Sequence, residues 1–343
     1  MRWILMTLLA WGVATASAAQ TAQAPALQPL SYGGGLEWTL AADEECSLYV
    51  REFGDAENPT YVILHGGWGA EHSYLLDAFV GLEKQFHLIF YDQRGSLRSW
   101  RCDIETISVA SHVQDLETLR GELGLERLNL ISHSMGAMLA GAYQREYPER
   151  VGQLVLIAPG LPKLPLDESE LGLYEPLIDD WETADYSPLG LFNTVGDLLQ
   201  ARPEVQAERE KHGLDGENLT ARERSLRWRL EFAAANLYRI DRWSLLRGGD
   251  AFYNSSAGQA AAMSMEELAP WDFPGKWRDH PHPVSVIVGD HDYADWRAAL
   301  SRHWFENDQH VRLVVLDQAG HLPWLDRPAA FRKALIAGLS GGD

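Results

Sequence analysis

The chain has 343 residues, of which 46% are hydrophobic, and a formal net charge of −20 at pH 7. This length and apolar content suit one large α/β domain with an insertion, or two domains of average size. The strong negative charge repels nucleic-acid phosphates and anionic lipid surfaces, so neither is a favoured partner.

The N-terminus has the composition of a secretory signal peptide. Arg2 is followed by an apolar run from Trp3 to Val13, and then by small residues that include Ala16 and Ala18. Such a run is too short to span a bilayer, and the Ala-x-Ala spacing is typical of a cleavage site. We therefore predict a signal peptide at 1–19 and a flexible linker at 20–35. The protein should be exported, periplasmic or secreted, with no membrane segment after cleavage.

The only two cysteines are Cys46 and Cys102. In an oxidising compartment they could form a disulfide, which would stabilise the fold by about 4 kcal/mol on the chain-entropy estimate. Two unrelated thiols are the equal alternative. Because no histidine lies near them at ligand spacing, a structural zinc site is not expected.

Strands and helices alternate along the first half of the mature chain. The segments 36–40 and 47–53 predict a β-hairpin. A short apolar strand, Tyr61–Leu64, then leads into the glycine-rich loop His65–Gly69. Backbone N–H groups in such a loop are suited to bind a developing negative charge. The following elements are predicted as a helix, a strand and a helix, at about 74–84, 86–91 and 108–123.

The fifth predicted strand runs directly into a helix at Ser134. The apolar run Leu128–Ile131 predicts the strand, and apolar residues then recur at helical spacing. The bend reads Ser132-x-Ser134-x-Gly136, which fits the Gly-x-Ser-x-Gly pattern of a nucleophile elbow except that serine replaces the first glycine. Because such a string is also common in ordinary loops, the interpretation of Ser134 as a nucleophile requires catalytic partners elsewhere in the chain.

The character of the chain changes after a strand predicted at 154–158. Prolines, charged helical stretches and aromatic residues replace apolar strands as far as Pro274. We interpret 161–274 as a mostly helical cap, inserted after the sixth strand into a core made of 36–160 and 275–343. Strand patterns return at 284–288 and 311–316, and helices are predicted at 296–304 and from Pro328. This alternation predicts an α/β fold with a mainly parallel sheet covered by helices on both faces.

Three loops that each follow a strand carry the residues of a serine nucleophile system. A serine hydroxyl needs a base, and the base needs an acid that orients it. His321 follows the last strand, and both Asp290 and Asp292 follow the strand before it. The order Ser134, Asp292, His321 matches hydrolases with a nucleophile elbow. The expected oxyanion hole comprises the backbone N–H of Met135 and that of Gly67.

No histidine and carboxylate cluster has metal-ligand spacing, so we expect neither a metal nor a cofactor. We assign His133 to packing, loop hydrogen bonding or solvation, whereas His72 and His291 are possible neighbours of the site.

Several motifs together resemble a known superfamily. They are His65-Gly66-Gly67-x-Gly69, Asp92-Gln93-Arg94-Gly95-Ser96, Gly289-x-x-Asp292 and Gly320-His321. Over nearly all of its mature length the chain resembles the α/β-hydrolase superfamily, and more narrowly the proline iminopeptidase-type serine aminopeptidases. The resemblance favours Asp292 over Asp290 as the orienting acid. The chain departs from the narrower pattern at Trp68, Leu97, Ser132 and Met135.

The resemblance implies a serine hydrolase, an aminopeptidase that releases an N-terminal proline or another small residue from a short peptide or small molecule, and the predicted signal peptide implies that it is exported. Such an enzyme binds a cationic amine through cap carboxylates, and Glu231 is our candidate. Its alternative is an exposed glutamate in a charged helix. Trp68 is a second candidate substrate contact, and cap aromatics could form an apolar pocket: Trp181, Trp228, Trp243 and Phe252.

Two other functions stay open. Ser-Met-Gly at an elbow is also frequent in esterases, so a carboxylesterase or lipase-like hydrolase of small esters is the first alternative. The second is a non-catalytic binding protein that keeps the fold, because a fold does not fix a function. The oligomeric state is left open.

Overall fold

The computed structural model describes residues 35–44, 46–160, 162–177, 188–248, 253–266 and 269–340. The predicted signal peptide and nearly all of the predicted linker lie outside the described residues, as do Trp181 and Phe252. Within the described residues, no helix is both long and apolar enough to cross a membrane.

Among the described residues, eight strands form one sheet at the centre of the protein. Their bounds are β1 Leu36–Ala41, β2 Ser47–Phe53, β3 Thr60–Leu64, β4 His87–Tyr91, β5 Leu128–His133, β6 Val151–Ile157, β9 Val284–Gly289 and β10 Val311–Leu316. Their spatial order is β1-β2-β4-β3-β5-β6-β9-β10. The first two strands form the predicted antiparallel hairpin, β2 pairs antiparallel with β4, and all the remaining pairs are parallel.

Helices cover the sheet on both faces, and each face has its own apolar cluster. Because β4 and β9 are buried along their whole length, they are apolar at most positions instead of alternating. These features confirm the predicted fold class. The helices of this part are α1 Leu76–Phe79, α2 Val109–Glu122, α3 Met135–Glu146, α9 Phe273–Arg278, α10 Ala299–Phe305, α11 Pro323–Asp326 and α12 Pro328–Leu339.

Two predicted helices are interrupted. The segment predicted as one helix at 74–84 is a 3-10 turn at His72–Leu75, the short α1, and another 3-10 turn at Leu82–Lys84. α1 ends at Phe79, because Val80 leaves the helical region with ψ 123° and Gly81 follows with a φ of +82°, in the left-handed region that favours glycine. In the segment 296–304, Arg297 and Ala298 also have positive φ, and the α-helix begins only at Ala299.

An insertion follows β6. It begins and ends at a two-stranded antiparallel ribbon, in which β7 (Lys163–Leu164) pairs with β8 (Trp271–Asp272). The described part between them is helical, as predicted, and packs through buried residues such as Leu230 and Trp243. Its helices are α4 Glu168–Leu171, α5 Pro188–Gln200, α6 Pro203–Lys211, α7 Ala221–Asn236 and α8 Ser255–Glu266.

Cys46 and Cys102 are joined by a disulfide. Cys46 lies just before β2, and Cys102 lies in the loop after β4, next to β2 in the sheet. The bond therefore ties that loop to the antiparallel edge of the sheet. Of the two alternatives that the sequence left open, the structure has the disulfide.

Candidate active site

Ser134 occupies a sharp bend between β5 and α3. Its backbone has φ 53° and ψ −122°, a conformation that residues other than glycine rarely adopt. Its N–H donates to the carbonyl of Ile157, and its carbonyl accepts from Gly160. A Cβ on Gly136 would lie 2.5 Å from the carbonyl oxygen of Leu64, so this position of the elbow requires glycine. The bend has the geometry of a nucleophile elbow.

The other neighbour of the bend is Ser132, which stands where the elbow pattern has glycine. Its side chain is accommodated, and it is fully buried. Its hydroxyl oxygen has no hydrogen-bond partner among the described residues. The replacement therefore adds a buried polar group that contributes no bond to the elbow.

His321 and Asp292 are in direct contact. Nδ1 of His321 lies 2.8 Å from Oδ1 of Asp292, and both side chains are almost fully buried. The same Oδ1 accepts the backbone N–H of Ala294. A proton on Nδ1 leaves Nε2 of His321 as the atom that can accept another. The rival acid, Asp290, bonds instead to His291 through Nδ1 at 2.6 Å.

Two backbone N–H groups are available beside Ser134. Met135 begins α3, and its N–H therefore has no acceptor within that helix. Gly67 follows β3 in the glycine-rich loop with φ +71°. Within the described residues neither N–H donates to a protein acceptor, and both residues line the cavity at Ser134. Two such donors can stabilise an anion, and the dipole of α3 adds to the effect of Met135, which lies at the N-terminus of that helix.

The segment Asp92-Gln93-Arg94 follows β4, and Gln93 bonds to the first residue of the glycine-rich loop. Gln93 donates its side-chain amide to the carbonyl of His65 at 2.8 Å, and its N–H to His65 Nε2 at 3.0 Å. Burial lowers the pKa of His65 to about 4, so its imidazole is neutral at pH 7 and can accept. Arg94 makes two bonds to Asp115, at 3.0 and 2.6 Å, and a third to Asp43. The motif thus contacts the glycine-rich loop through Gln93, and none of its three residues is on the described cavity wall.

The cavity above Ser134 has a volume of about 440 Å³. Aromatic rings form much of its wall, and the cap supplies two of them, Phe232 and Tyr253. Trp228, a predicted pocket residue, is not on the described cavity wall, but it stacks on Phe232 of that wall with ring centroids 5.0 Å apart. Trp243 instead is buried away from the cavity, and its Nε1 donates to Glu208. Aromatic residues on the cavity wall are Trp68, Tyr74, Phe232, Tyr253 and Tyr293.

The two predicted substrate contacts are placed differently. Trp68 lines the cavity and stacks on His112 with centroids 5.4 Å apart. Glu231 is not on the cavity wall, and it pairs with Arg227 one helical turn away, at 2.9 Å. The one acidic residue among the described residues that line the cavity is Asp197, in α5. No pattern in the sequence marks Asp197 beyond its position in the cap.

Among the residues that the structure describes, one buried group has the composition of a metal site. Ligand atoms of Glu71, His72 and Asp92 lie within 4.8 Å of one another. However, Oδ1 of Asp92 accepts from the N–H and Nδ1 of His72, and the Glu71 carboxylate accepts from Ser73. Burial alone would raise the pKa of Asp92, but the bonds and charge of His72 lower it below its ordinary value. The carboxylates are satisfied without a cation, so we interpret the group as a structural network.

The predicted site residues thus fall into two sets. Ser134, Met135, Gly67, Trp68 and His321 meet at one cavity, and Asp292 lies behind His321. Glu231 stands apart, and so do His72 and His291, which bond to Asp92 and Asp290. Sequence reasoning missed a further set of lining residues, because the patterns that predict strands and helices do not show which side chains face a cavity formed by distant segments. They include Tyr74, His133, Asp197, Asn236, Tyr253 and Tyr293.

The chain belongs to the α/β-hydrolase family. The model of that family, described as alpha/beta hydrolase fold, matches residues 59–328. This match covers both the elbow and the loop of His321.

Individual relatives carry several different names. A proline iminopeptidase of Levilactobacillus brevis is 25% identical over 300 residues, which is 86% of this chain and 93% of that protein. A human 1-acylglycerol-3-phosphate O-acyltransferase is 28% identical over 280 residues, 79% of this chain and 75% of that protein. The crystal structure of a proline iminopeptidase-related protein from Thermus thermophilus is 22% identical, with a TM-score of 0.59 over 90% of this chain and 98% of the other. The protein therefore resembles proline iminopeptidases within a family that also contains acyltransferases.

Proposed function

We propose that the protein is a serine hydrolase that forms an acyl-enzyme on Ser134, and that it acts as an aminopeptidase on short peptides or small amides with an N-terminal proline or another small residue. One observation carries the proposal. Ser134, His321 and the residues of the two N–H donors, Gly67 and Met135, all line one cavity, with Asp292 bonded to His321.

The reaction follows from these positions. Oγ of Ser134 attacks the scissile carbonyl carbon and transfers its proton to Nε2 of His321. Asp292 holds the imidazole in the required tautomer and stabilises its positive charge. The N–H groups of Gly67 and Met135 bind the oxyanion, and each such donor lowers the barrier by about 3 kcal/mol. The C–N bond then breaks as His321 protonates the leaving amine. Water, activated by the same histidine, releases the acyl group.

Asp197 supports the aminopeptidase assignment. A free N-terminal amine is a cation, and a cavity that binds it needs an anionic group. Asp197 is the acidic residue on the described cavity wall, and the rings of Trp68 and Phe232 lie on the same wall to cover a prolyl ring. The proline iminopeptidase similarity points the same way.

A carboxylesterase on small esters is the second candidate. The specific observation in its favour is the largely aromatic wall of the cavity, on which only one described side chain is a carboxylate. An ester with an apolar acyl group needs no anionic anchor, so this wall suits it as well.

A matched pair of substrates tests the proposal. We expect hydrolysis of a fluorogenic prolyl amide to exceed that of the N-acetylated prolyl amide by at least about tenfold, because acetylation removes the cation and a bond to a charged group contributes roughly 1.5–3 kcal/mol. Ester turnover without prolyl amide turnover would reject the aminopeptidase and favour the esterase. Absence of labelling by a fluorophosphonate probe in folded protein would reject the serine hydrolase and favour a binding protein. Labelling that persists in Ser134→Ala would reject Ser134 as the nucleophile.

We also propose that the enzyme works after export, free of the membrane and without nucleic acid as a partner. The disulfide supports this proposal, because such bonds persist mainly in oxidising compartments. The signal-like composition of residues 1–19 supports it as well. N-terminal sequencing of protein from the medium or periplasm would test it, and we expect the mature chain to begin near Gln20.

A further inference from the structure

A continuous chain of buried hydrogen bonds joins the three loops of the site. The N–H of Gly66 lies 2.7 Å from the hydroxyl oxygen of Tyr74, which lies 2.6 Å from Nδ1 of His133. Nε2 of His133 lies 2.9 Å from the backbone carbonyl of His321. Gly66 precedes the oxyanion donor Gly67, and His133 precedes Ser134. The chain therefore runs from the glycine-rich loop through the elbow to the loop of the proposed base.

The direction of each bond follows from the chemistry of its groups. The Gly66 N–H can only donate, so the Tyr74 oxygen accepts there and donates its own proton to Nδ1 of His133. The carbonyl of His321 can only accept, so Nε2 of His133 carries the ring proton. A neutral imidazole with its proton on Nε2 satisfies both demands. Burial lowers the pKa of His133 well below the ordinary value for histidine, and it raises the pKa of Tyr74 well above the ordinary value for tyrosine. Both groups therefore stay neutral.

Packing fixes these side chains further. The ring of His133 packs edge to face against the rings of Trp324 and Tyr74, with ring centroids 5.1 Å and 5.4 Å apart. A Cβ on Gly66 would lie 2.6 Å from Cβ of Ser134 and 3.0 Å from Nδ1 of His133, so the loop rests directly on the elbow. Little space is left for either loop to shift independently of the other.

We propose that Tyr74 and His133 are positioning residues, which hold the oxyanion loop, the nucleophile and the base in register for acylation of Ser134. This inference rests on the proposed function, because it assigns those roles to Gly67, Ser134 and His321. Neither side chain exchanges a proton with substrate. Each acts on the reaction through the backbone that it fixes.

The test compares Tyr74→Phe with Tyr61→Phe. Tyr61 is also a buried tyrosine, and its hydroxyl also makes two bonds, to Gln153 and to the carbonyl of Leu339, away from the cavity. We would measure the rate constant of inactivation by a fluorophosphonate, which reports nucleophile and oxyanion hole without a choice of substrate. Tyr74→Phe should lower it by about 10- to 100-fold, because small misplacements of reacting groups cost rates of that order. Tyr61→Phe should leave the rate constant of inactivation nearly unchanged. The melting temperature should fall in both variants, because each loses the bonds of a buried hydroxyl.

A histidine pair keeps the test decisive if Tyr74→Phe does not fold. His133→Gln removes the ring nitrogen that accepts from Tyr74 but keeps an N–H for the carbonyl of His321. His280→Gln is its control, since His280 also bridges a side chain, Gln144, and a buried backbone carbonyl, that of Gly152. We expect His133→Gln to lower both kcat and the inactivation rate constant by about tenfold or more, with KM little changed. His280→Gln should not lower them.

The outcomes separate the two proposals. Normal inactivation rates in both Tyr74→Phe and His133→Gln overturn the positioning role and leave the serine hydrolase standing. Equal losses in a variant and its control also overturn that role, because they show a stability effect only. A wild-type protein that is folded but not labelled overturns the proposed function, and the positioning role with it.

Discussion

Nδ1 of His321 lies 2.8 Å from Oδ1 of Asp292, although the two residues are 29 positions apart in the chain. Two neighbouring parallel strands, β9 and β10, bring them together, because both strands deliver their following loops to the same edge of the sheet. The other oxygen of Asp292 has no partner among the described residues. The carboxylate is therefore used mainly to orient one imidazole.

Substituting Asp292 by Asn should nearly abolish activity while the fold persists. The amide would favour the wrong tautomer of His321, which in comparable triads lowers kcat by about 10⁴. We expect kcat to fall by a factor of that order and KM to change little, measured on the better of the two substrates. Asp290→Asn is the matched control, since Asp290 bonds to His291 and not to His321. A larger loss in Asp290→Asn would contradict the assignment.

Asp197 and Glu231 give a second matched pair. If Asp197 binds the substrate amine, Asp197→Asn should raise KM for the prolyl amide by about tenfold or more, since a bond to a charged group contributes roughly 1.5–3 kcal/mol. Glu231→Gln should leave KM nearly unchanged, because that carboxylate pairs with Arg227 off the cavity. An ester substrate should not distinguish the two variants. The reverse order would restore Glu231, the residue chosen from the sequence.

Stability should decline in mild acid because buried histidines must take up protons. Burial lowers the pKa of His65 to about 4 and the pKa of His112 to about 3, below the ordinary value of 6.5. The unfolded chain therefore binds more protons below about pH 6.5. Each histidine reduces the free energy of unfolding by about 1.4 kcal/mol per pH unit down to its folded pKa.

His112→Phe tests this dependence and keeps an aromatic ring on Trp68. Urea unfolding at about pH 7 and about pH 4.5 should show a loss of stability about 2–3 kcal/mol smaller in this variant than in the wild type. His303→Phe, at an exposed position, should lose as much as the wild type. An unchanged acid loss in His112→Phe would contradict the role of burial.

The double substitution Cys46→Ser and Cys102→Ser should destabilise the protein without altering the site. The bond closes a loop with a sequence separation of 56, so its removal should lower the free energy of unfolding by about 2–4 kcal/mol. Neither sulfur lines the cavity, so kcat should stay nearly unchanged. Dithiothreitol should reproduce the loss in the wild type and have no effect on the variant. Equal sensitivity of both proteins would show that the bond contributes nothing.

Much of the architecture could be predicted because it depends on local patterns. Continuous apolar runs identified the buried strands β3, β5 and β9, and Gly66 and Gly136 marked the close approach of the glycine-rich loop to the elbow. The chain order of Ser134, Asp292 and His321 then predicted convergence, since loops that follow parallel strands share one edge. The prediction of continuous helices was wrong at Gly81 and Arg297, because the backbone takes positive φ there although the apolar residues recur at helical spacing.

Spacing along the chain left several questions undecided, and the tertiary structure answers them. Asp290 and Asp292 lie close together in one loop, and only the turn after β9 decides which carboxylate points at His321. Cys46 and Cys102 pair because β2 and β4 are neighbours in the sheet.

The cap and the interior depend still more on packing. Glu231 and Asp197 are both cap carboxylates in the sequence, and the packing of α5 and α7 places only Asp197 on the cavity. The sequence assigns His133 to packing, loop hydrogen bonding or solvation, whereas its bonds to Tyr74 and His321 join positions 59 and 188 residues apart. Sequence patterns determine which segments form strands and helices because those preferences are local. The partners of a buried polar group depend on distant segments meeting, so they are decided only when the chain has folded.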